Sequence, residues 1–135
     1  MSIQSKEFKK GAALAQRLFG DSKGDFRGIP LANAGDSLPQ ELVTWLYGYL
    51  LQERSSLTVK HKVLCIIAMS TATNQIDMLR TWLVAAVNAG CTRIEVQEAI
   101  LTMAIYGGWP PARKALETVA AFWPGDGEAA TGVKA

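Results

Sequence analysis

His61 is the only histidine in the chain, and imidazole is the one side chain that ordinarily titrates near neutrality. On a helix covering residues 58–72 it shares a face with Leu64, Cys65 and Ala68, by three- and four-residue spacing. That face is expected to lean toward packed surroundings, where the imidazole could act as a general acid or base. The structural alternative is a helix-start histidine that caps or packs at an interface. Lys62 follows directly but points about 100° further round the helix. It can hold an anionic group or an enolate, or it can stay solvated. Tyr49 and Tyr106 could orient a substrate carbonyl, or pack in the core with one hydrogen-bonded hydroxyl. Trp45, Trp82 and Trp109 suit the walls of an apolar pocket, and equally suit core or subunit-interface packing. One histidine without an acidic cluster supplies too few ligands for zinc. No metal and no organic cofactor are therefore expected.

Positioning these side chains falls to helices. Residues 6–19 carry an apolar stripe of Phe8, Ala12, Leu14, Ala15 and Leu18 at helical spacing. A long stretch rich in Gly and Asp, residues 20–36, reads as a loop of the kind that serves as lid, arm or partner contact. Ser37-Leu38-Pro39-Gln40 has the form of a capping box and opens a second helix bearing Leu42, Trp45, Leu46, Tyr49 and Leu50. Thr58 is expected to cap the third helix. Asn74 is expected to cap a fourth, over residues 74–89, which Gly90 stops in a left-handed conformation. Thr92-Arg93-Ile94-Glu95 is a further capping box and starts the fifth helix. Gly107-Gly108 reads as a helix stop and lacks the further glycines of a nucleotide-binding loop. Pro110 and Pro111 open a sixth helix, ending near Trp123. Asp77 and Glu95 fit as acidic residues at helix starts. No alternating strand pattern is present, so the fold class is all-α, six helices in one domain over residues 1–123. Residues 124–135 lack periodicity and bulk and read as a disordered tail.

Composition narrows the function. At 135 residues with 49% apolar content, the chain suits a single domain with one core. A formal net charge of +2 is too small for an electrostatic nucleic-acid binder. Lys6, Lys9 and Lys10 cluster, but on a helical pattern that reads as a solvated face. There is no apolar run of membrane-spanning length and no apolar signal core at the N-terminus, so a cytoplasmic location is expected. The two cysteines, Cys65 and Cys91, do not form a disulfide framework. Cys65 lies in the apolar stretch 63–69 and is expected in the core. Cys91 adjoins a helix start and is expected to be partly exposed.

The order of features from Leu57 to about Trp123 resembles the carboxymuconolactone decarboxylase family. Leu57-Thr58 precede a helix with Lys62 in its first turn, followed by Ile67-Ala68-Met69. Asn74, Leu79, Ala85-Ala86, Gly90, Thr92-Arg93 and Glu95 come next, and then Ala104-Ile105-Tyr106, Gly108 and Pro110. Upstream the match is looser, through Phe8-Lys9, Gly11, Gly20-Asp21 and Gly48. The resemblance implies a homo-oligomer, a trimer or trimer-based hexamer, with a small-molecule substrate bound near a subunit boundary.

The family's peroxidase branch carries a cysteine pair one turn ahead of a histidine on the fourth helix. The matching positions here fall around Gln75, Met78 and Trp82, with no thiol to form the reversible disulfide. The decarboxylase branch uses a histidine on the fourth helix, a glutamate after the glycine of the second, and a basic residue early in the third. Those positions correspond to Trp82, Tyr49 and Lys62. The basic group survives; the imidazole and the carboxylate do not. Tryptophan cannot titrate, and a phenol ordinarily titrates far above neutrality. The expected activity is therefore not decarboxylation of carboxymuconolactone itself. It is lyase- or isomerase-like proton transfer on a larger, flatter and less charged cyclic or aromatic carbonyl compound, with aromatic natural-product metabolism a natural setting. His61, Lys62 and Tyr49 would be catalytic, and Trp45, Trp82, Tyr106 and Trp109 would hold the substrate. The alternative is a non-catalytic ligand-binding or structural oligomer that keeps the fold.

Overall fold

A computed structural model of the chain describes residues 6–20 and 41–123. They form six helices: α1 (Lys6–Phe19), α2 (Val43–Glu53), α3 (Val59–Ala72), α4 (Ile76–Asn88), α5 (Arg93–Gly107) and α6 (Trp109–Phe122). No strand occurs among the described residues. The expected loop after Gly20, the capping box at Ser37 and the tail beyond Trp123 lie outside them. The described residues fall into two compact units, one reaching to Val59 and the other beginning at Lys60.

In the first unit α1 packs on α2. Glu7 in the first turn and Arg17 in the last both complement the helix dipole. The helix stops at Gly20, whose φ of 75° is open to glycine, and whose N–H returns to the Gln16 carbonyl at 2.7 Å. The buried face of α1 is Gly11, Leu14, Ala15, Leu18 and Phe19. Its centre is a backbone-to-backbone approach. A Cβ on Gly11 would stand 2.5 Å from the Val43 carbonyl oxygen, and one on Gly48 would stand 2.5 Å from that of Glu7. Only glycine fits at either place.

Helix α2 is wound more widely than an α-helix. The Arg54 N–H closes on the Tyr49 carbonyl, five residues back, at 3.1 Å. Its buried residues accordingly recur every four positions, as Val43, Tyr47 and Leu51 beside Thr44 and Gly48. The sequence reading offered Trp45 and Tyr49 either a substrate pocket or a packed position. They are instead 53% and 43% exposed, because the wider winding and the Gly48 contact turn the adjacent positions inward. Phe19 and Tyr47 meet edge to face at 6.2 Å. Gln52 donates to the carbonyls of Lys10 and Tyr47 at 2.9 and 3.0 Å, and Lys10 pairs with Glu53.

The second unit buries Val63 and Ile67 of α3, Leu79 and Leu83 of α4, Val96 and Ile100 of α5, and Val119 of α6. Each such side chain contributes roughly 1.5–3 kcal/mol by leaving water. Helices α3 and α5 run parallel. Near their starts Lys60 meets Glu95 at 2.9 Å. Near their ends a Cβ on Gly107 would lie 3.5 Å from that of Ala72. Helix α6 packs on α5 and α4 through Ala112, Ala115 and Val119, small side chains that permit a near approach.

Three turns fix this arrangement. After α3, Asn74 takes the left-handed conformation at φ 57°. Its N–H reaches Thr71 O at 3.0 Å and that of Gln75 reaches Ser70 O at 2.8 Å, a Schellman closure. Asn74 therefore ends α3 instead of capping α4. The cap position of α4 is Gln75, whose side chain makes no capping bond and donates to Thr73 Oγ1 at 3.0 Å. After α4, Gly90 at φ 86° makes the same closure through Gly90 N–H to Val87 O and Cys91 N–H to Ala86 O. Gly108, at φ 91°, breaks α5 from α6, and Pro110 and Pro111 sit in the first turn of α6, where a missing N–H costs nothing.

Candidate functional site

The expected site residues fall into small groups. Trp45 and Tyr49 lie one turn apart on the outer side of α2, in the first unit. The Tyr49 hydroxyl accepts from Arg54 Nη1 at 3.4 Å, which leaves its own proton free to donate. In the second unit His61 and Lys62 occupy the first turn of α3, the imidazole exposed and the lysine half-buried. Among the described residues the face around His61 is less packed than expected: Leu64 and Ala68 beside it are half-buried and Cys65 is exposed. The reason is that α3 turns Val63, Ile67, Ser70 and Thr71 inward, on its opposite side. Trp82 is half-buried in the middle of α4, between the core residues Leu79 and Leu83. Tyr106 and Trp109 flank the Gly107-Gly108 break, 100% and 56% exposed. Among the described residues Tyr106 therefore has no place in the core.

The cysteines are exchanged relative to expectation. Cys65 is exposed and Cys91 is buried, and both are free. An apolar run on a helix must place some members outward, and Cys65 falls opposite the Val63–Ile67 stripe. Cys91 follows the Gly90 turn, which directs it under α3, where its S–H points at the Lys60 carbonyl at 3.8 Å. Burial, and then the nearby Glu95 charge, push the Cys91 thiol up to about 11.

An unforeseen electrostatic cluster joins the starts of α3 and α5. Glu95 N–H donates to Thr92 Oγ1 at 3.1 Å, and Glu95 Oε1 accepts from the Thr92 N–H at 2.9 Å, completing the expected capping box. The second carboxylate oxygen takes Lys60. The Thr92 N–H, then Lys60, hold the Glu95 carboxyl below the usual range. The same bond to Glu95 raises the Lys60 ammonium. The capping motif was legible in the sequence; Lys60, 35 residues away, carries no local signal. Both groups are satisfied by each other, which fits a clasp better than a reactive centre.

Two shallow grooves run beside α4 and α6. One of about 440 Å³ is lined by Asn74, Gln75, Ile76, Asp77, Met78 and Lys114. The other, about 390 Å³, is lined by Arg80, Thr118, Ala121 and Phe122. Neither includes an expected site residue. Asp77 and Arg80 pair at 3.2 Å between them, largely exposed. Among the described residues no three His, Cys, Asp or Glu side chains converge as metal ligands. No described helix is long and apolar enough to cross a membrane.

The family model of the carboxymuconolactone decarboxylases matches residues 40–121, more than half of the chain. The chain belongs to the carboxymuconolactone decarboxylase family. No protein of curated function matches it. Family membership accounts for the all-helical fold. The family holds both decarboxylases and thiol peroxidases, so membership by itself leaves the reaction open.

Proposed function

We propose that this member of the carboxymuconolactone decarboxylase family is a cofactor-independent lyase- or isomerase-like enzyme. It moves a proton next to the carbonyl of a small cyclic or aromatic compound, with or without loss of carbon dioxide. The observation that carries this reading is the set of side chains on the family frame. Lys62 keeps the basic position in the first turn of α3, while Trp82, half-buried on α4, replaces the imidazole. A cation with an aromatic wall suits an enolate on a flat ring better than a compact, multiply charged lactone. Peroxidase chemistry is not supported, because α4 carries no cysteine.

In this scheme His61 exchanges the proton and Lys62 stabilises the developing negative charge. Trp82, Tyr106 and Trp109, on the same unit, hold the ring. The exposure of His61 and Tyr106 in the single chain fits a site completed by a second subunit, in a trimer or hexamer. The same exposure favours the second reading, a non-catalytic oligomer.

Solvent-proton exchange separates the two. Cyclic and aromatic ketones, keto acids and lactones are incubated with the protein in deuterium oxide and followed by NMR. Deuterium uptake beside a carbonyl, or carbon dioxide release, is the expected result. Replacing His61 by Gln should lower turnover about 10²-fold or more while substrate still binds. Lys62→Met should instead weaken binding of anionic compounds. A folded protein that bound compounds from the panel without exchanging any of them would establish the second reading. Full activity in folded His61→Gln would remove His61 from the mechanism.

A further inference from the structure

The solvent-exposed positions of α3 are His61, Cys65, Met69 and Ala72. The first three recur at every fourth residue, one helical turn apart, so imidazole, thiol and thioether stand in one line on one face. A solvated helix face ordinarily carries charge. That of α6 does, with Arg113, Lys114 and Glu117 exposed. None of the exposed positions of α3 carries a permanent charge, the nearest being half-buried Lys62, in angular line with Met69; apart from Ala72, every exposed side chain is a donor to soft metal ions. Apolar packing alone accounts for this face poorly. Where α5 exposes apolar side chains, they are the hydrocarbons Ile94, Leu101 and Ile105.

The donor set selects the ion. Zinc takes four ligands in a structural site and three plus water in a catalytic one, and no third ligand of its kind converges here among the described residues. Thiolate and thioether select copper(I), a closed-shell ion content with two or three soft donors. We infer that the His61–Cys65–Met69 face of α3 binds one thiophilic cation of the copper(I) class, anchored on the Cys65 sulfur and closed by the donors one turn to either side. Helical side chains lean toward the N-terminus, so Met69 reaches over Cys65, and Cys65 reaches toward His61. The flexible thioether, 57% exposed, adapts to the ion at little cost. Cys91 is no competitor, being buried beneath α3. This site shares His61 with the proposed reaction, so a bound ion would suppress proton exchange; the copper titration itself needs no substrate and reads the ion alone.

The test is anaerobic titration of the full chain with copper(I) against a competing chromogenic chelator, bicinchoninate. One copper(I) per chain should be withheld from the chelator. Cys65→Ser should abolish this, Cys91→Ser should leave it unchanged, and Met69→Leu and His61→Gln should each weaken it at least about tenfold. Bound copper(I) should also shield Cys65 from N-ethylmaleimide. Because all three side chains are exposed, the variants should fold, which circular dichroism checks. Failure of the wild-type protein to hold copper(I), or retention by Cys65→Ser, would overturn the inference. Equal affinity in wild type, Met69→Leu and His61→Gln would overturn it too, by reducing the site to a bare thiol.

Discussion

Two cysteines in one small chain meet opposite environments, and their chemistry should divide accordingly. Cys65 faces solvent; Cys91 is buried under α3 with its thiol pushed up to about 11. A thiol-directed alkylating reagent at neutral pH should label Cys65 rapidly and Cys91 only after unfolding, as peptide mapping would show. Because the folded value for Cys91 lies above the ordinary 9.0, the neutral thiol favours the fold. Its contribution is complete below 9.0 and is lost as pH rises toward about 11. Cys91→Ala should flatten that alkaline decline in a denaturation series. Neither environment was legible from the residues alone. Val63 to Met69 is apolar throughout, so periodicity cannot say which members face inward. The same limit misplaced His61, whose neighbours on the helix are apolar yet only half-buried. The assignment of Lys62 and Trp82 to the family frame is a different kind of reading, made from order along the chain and not from facing.

At the scale of elements, what the sequence announces is local chemistry. The Thr92–Glu95 box and the left-handed Gly90 are formed as expected, because each is a contact within a few residues. Thr92→Ala should cost about 1 kcal/mol, the usual value of an N-cap. Glu95, held below the usual carboxylate range, contributes stability above the unfolded value and loses it as pH falls through the folded one. Thr92→Ala removes only the hydroxyl, so the acid decline should persist in that variant and shrink in Glu95→Gln. Asn74 shows the limit of such reading. Its side chain suits a helix start, but its tolerance of positive φ decides, and it closes α3. The wide winding of α2 carries no local signature either, and Gly11 and Gly48 stood out in the sequence only as points of family resemblance; the close backbone approach they permit is seen in the structure. Gly11→Ala is a test of sign. Propensity alone would stabilise α1 by about 1 kcal/mol. The added Cβ would instead meet the Val43 carbonyl oxygen at 2.5 Å and the Gly48 nitrogen at 2.9 Å. Net destabilisation of roughly 1–3 kcal/mol is expected, and a raised melting temperature would refute the close approach.

For the whole molecule the governing fact is the apolar surface that the single chain leaves uncovered. On α5 Ile94, Leu101 and Ile105 are exposed, spaced so that they share one face, and Tyr106 and Trp109 extend it around the Gly108 corner. Glu98 interrupts this face after Ile94, but Leu101, Ile105, Tyr106 and Trp109 cluster at its C-terminal end; isolated apolar side chains need no explanation, whereas such a cluster marks an interaction surface. A stable interface covers about 800 Å² per partner, and a helix face with two adjoining aromatics is the natural centre of one. Homo-oligomerisation through α5 is the expected outcome, in keeping with the sequence reading of a trimer or hexamer. Sedimentation velocity at micromolar concentration should show an assembly, and a monomer there would refute it. Ile105→Glu sharpens the test. Ile105 is 75% exposed, so the charge is tolerated by the isolated subunit and helix content should be unchanged. In an interface the same carboxylate would be buried without a partner, a cost of several kcal/mol, and the assembly should dissociate. If Ile105→Glu sediments like the wild type, α5 is not the contact, whatever the oligomeric state. If it dissociates and also loses proton exchange, the site is completed across the interface, and the exposure of Tyr106 in the single chain is explained by the subunit that covers it.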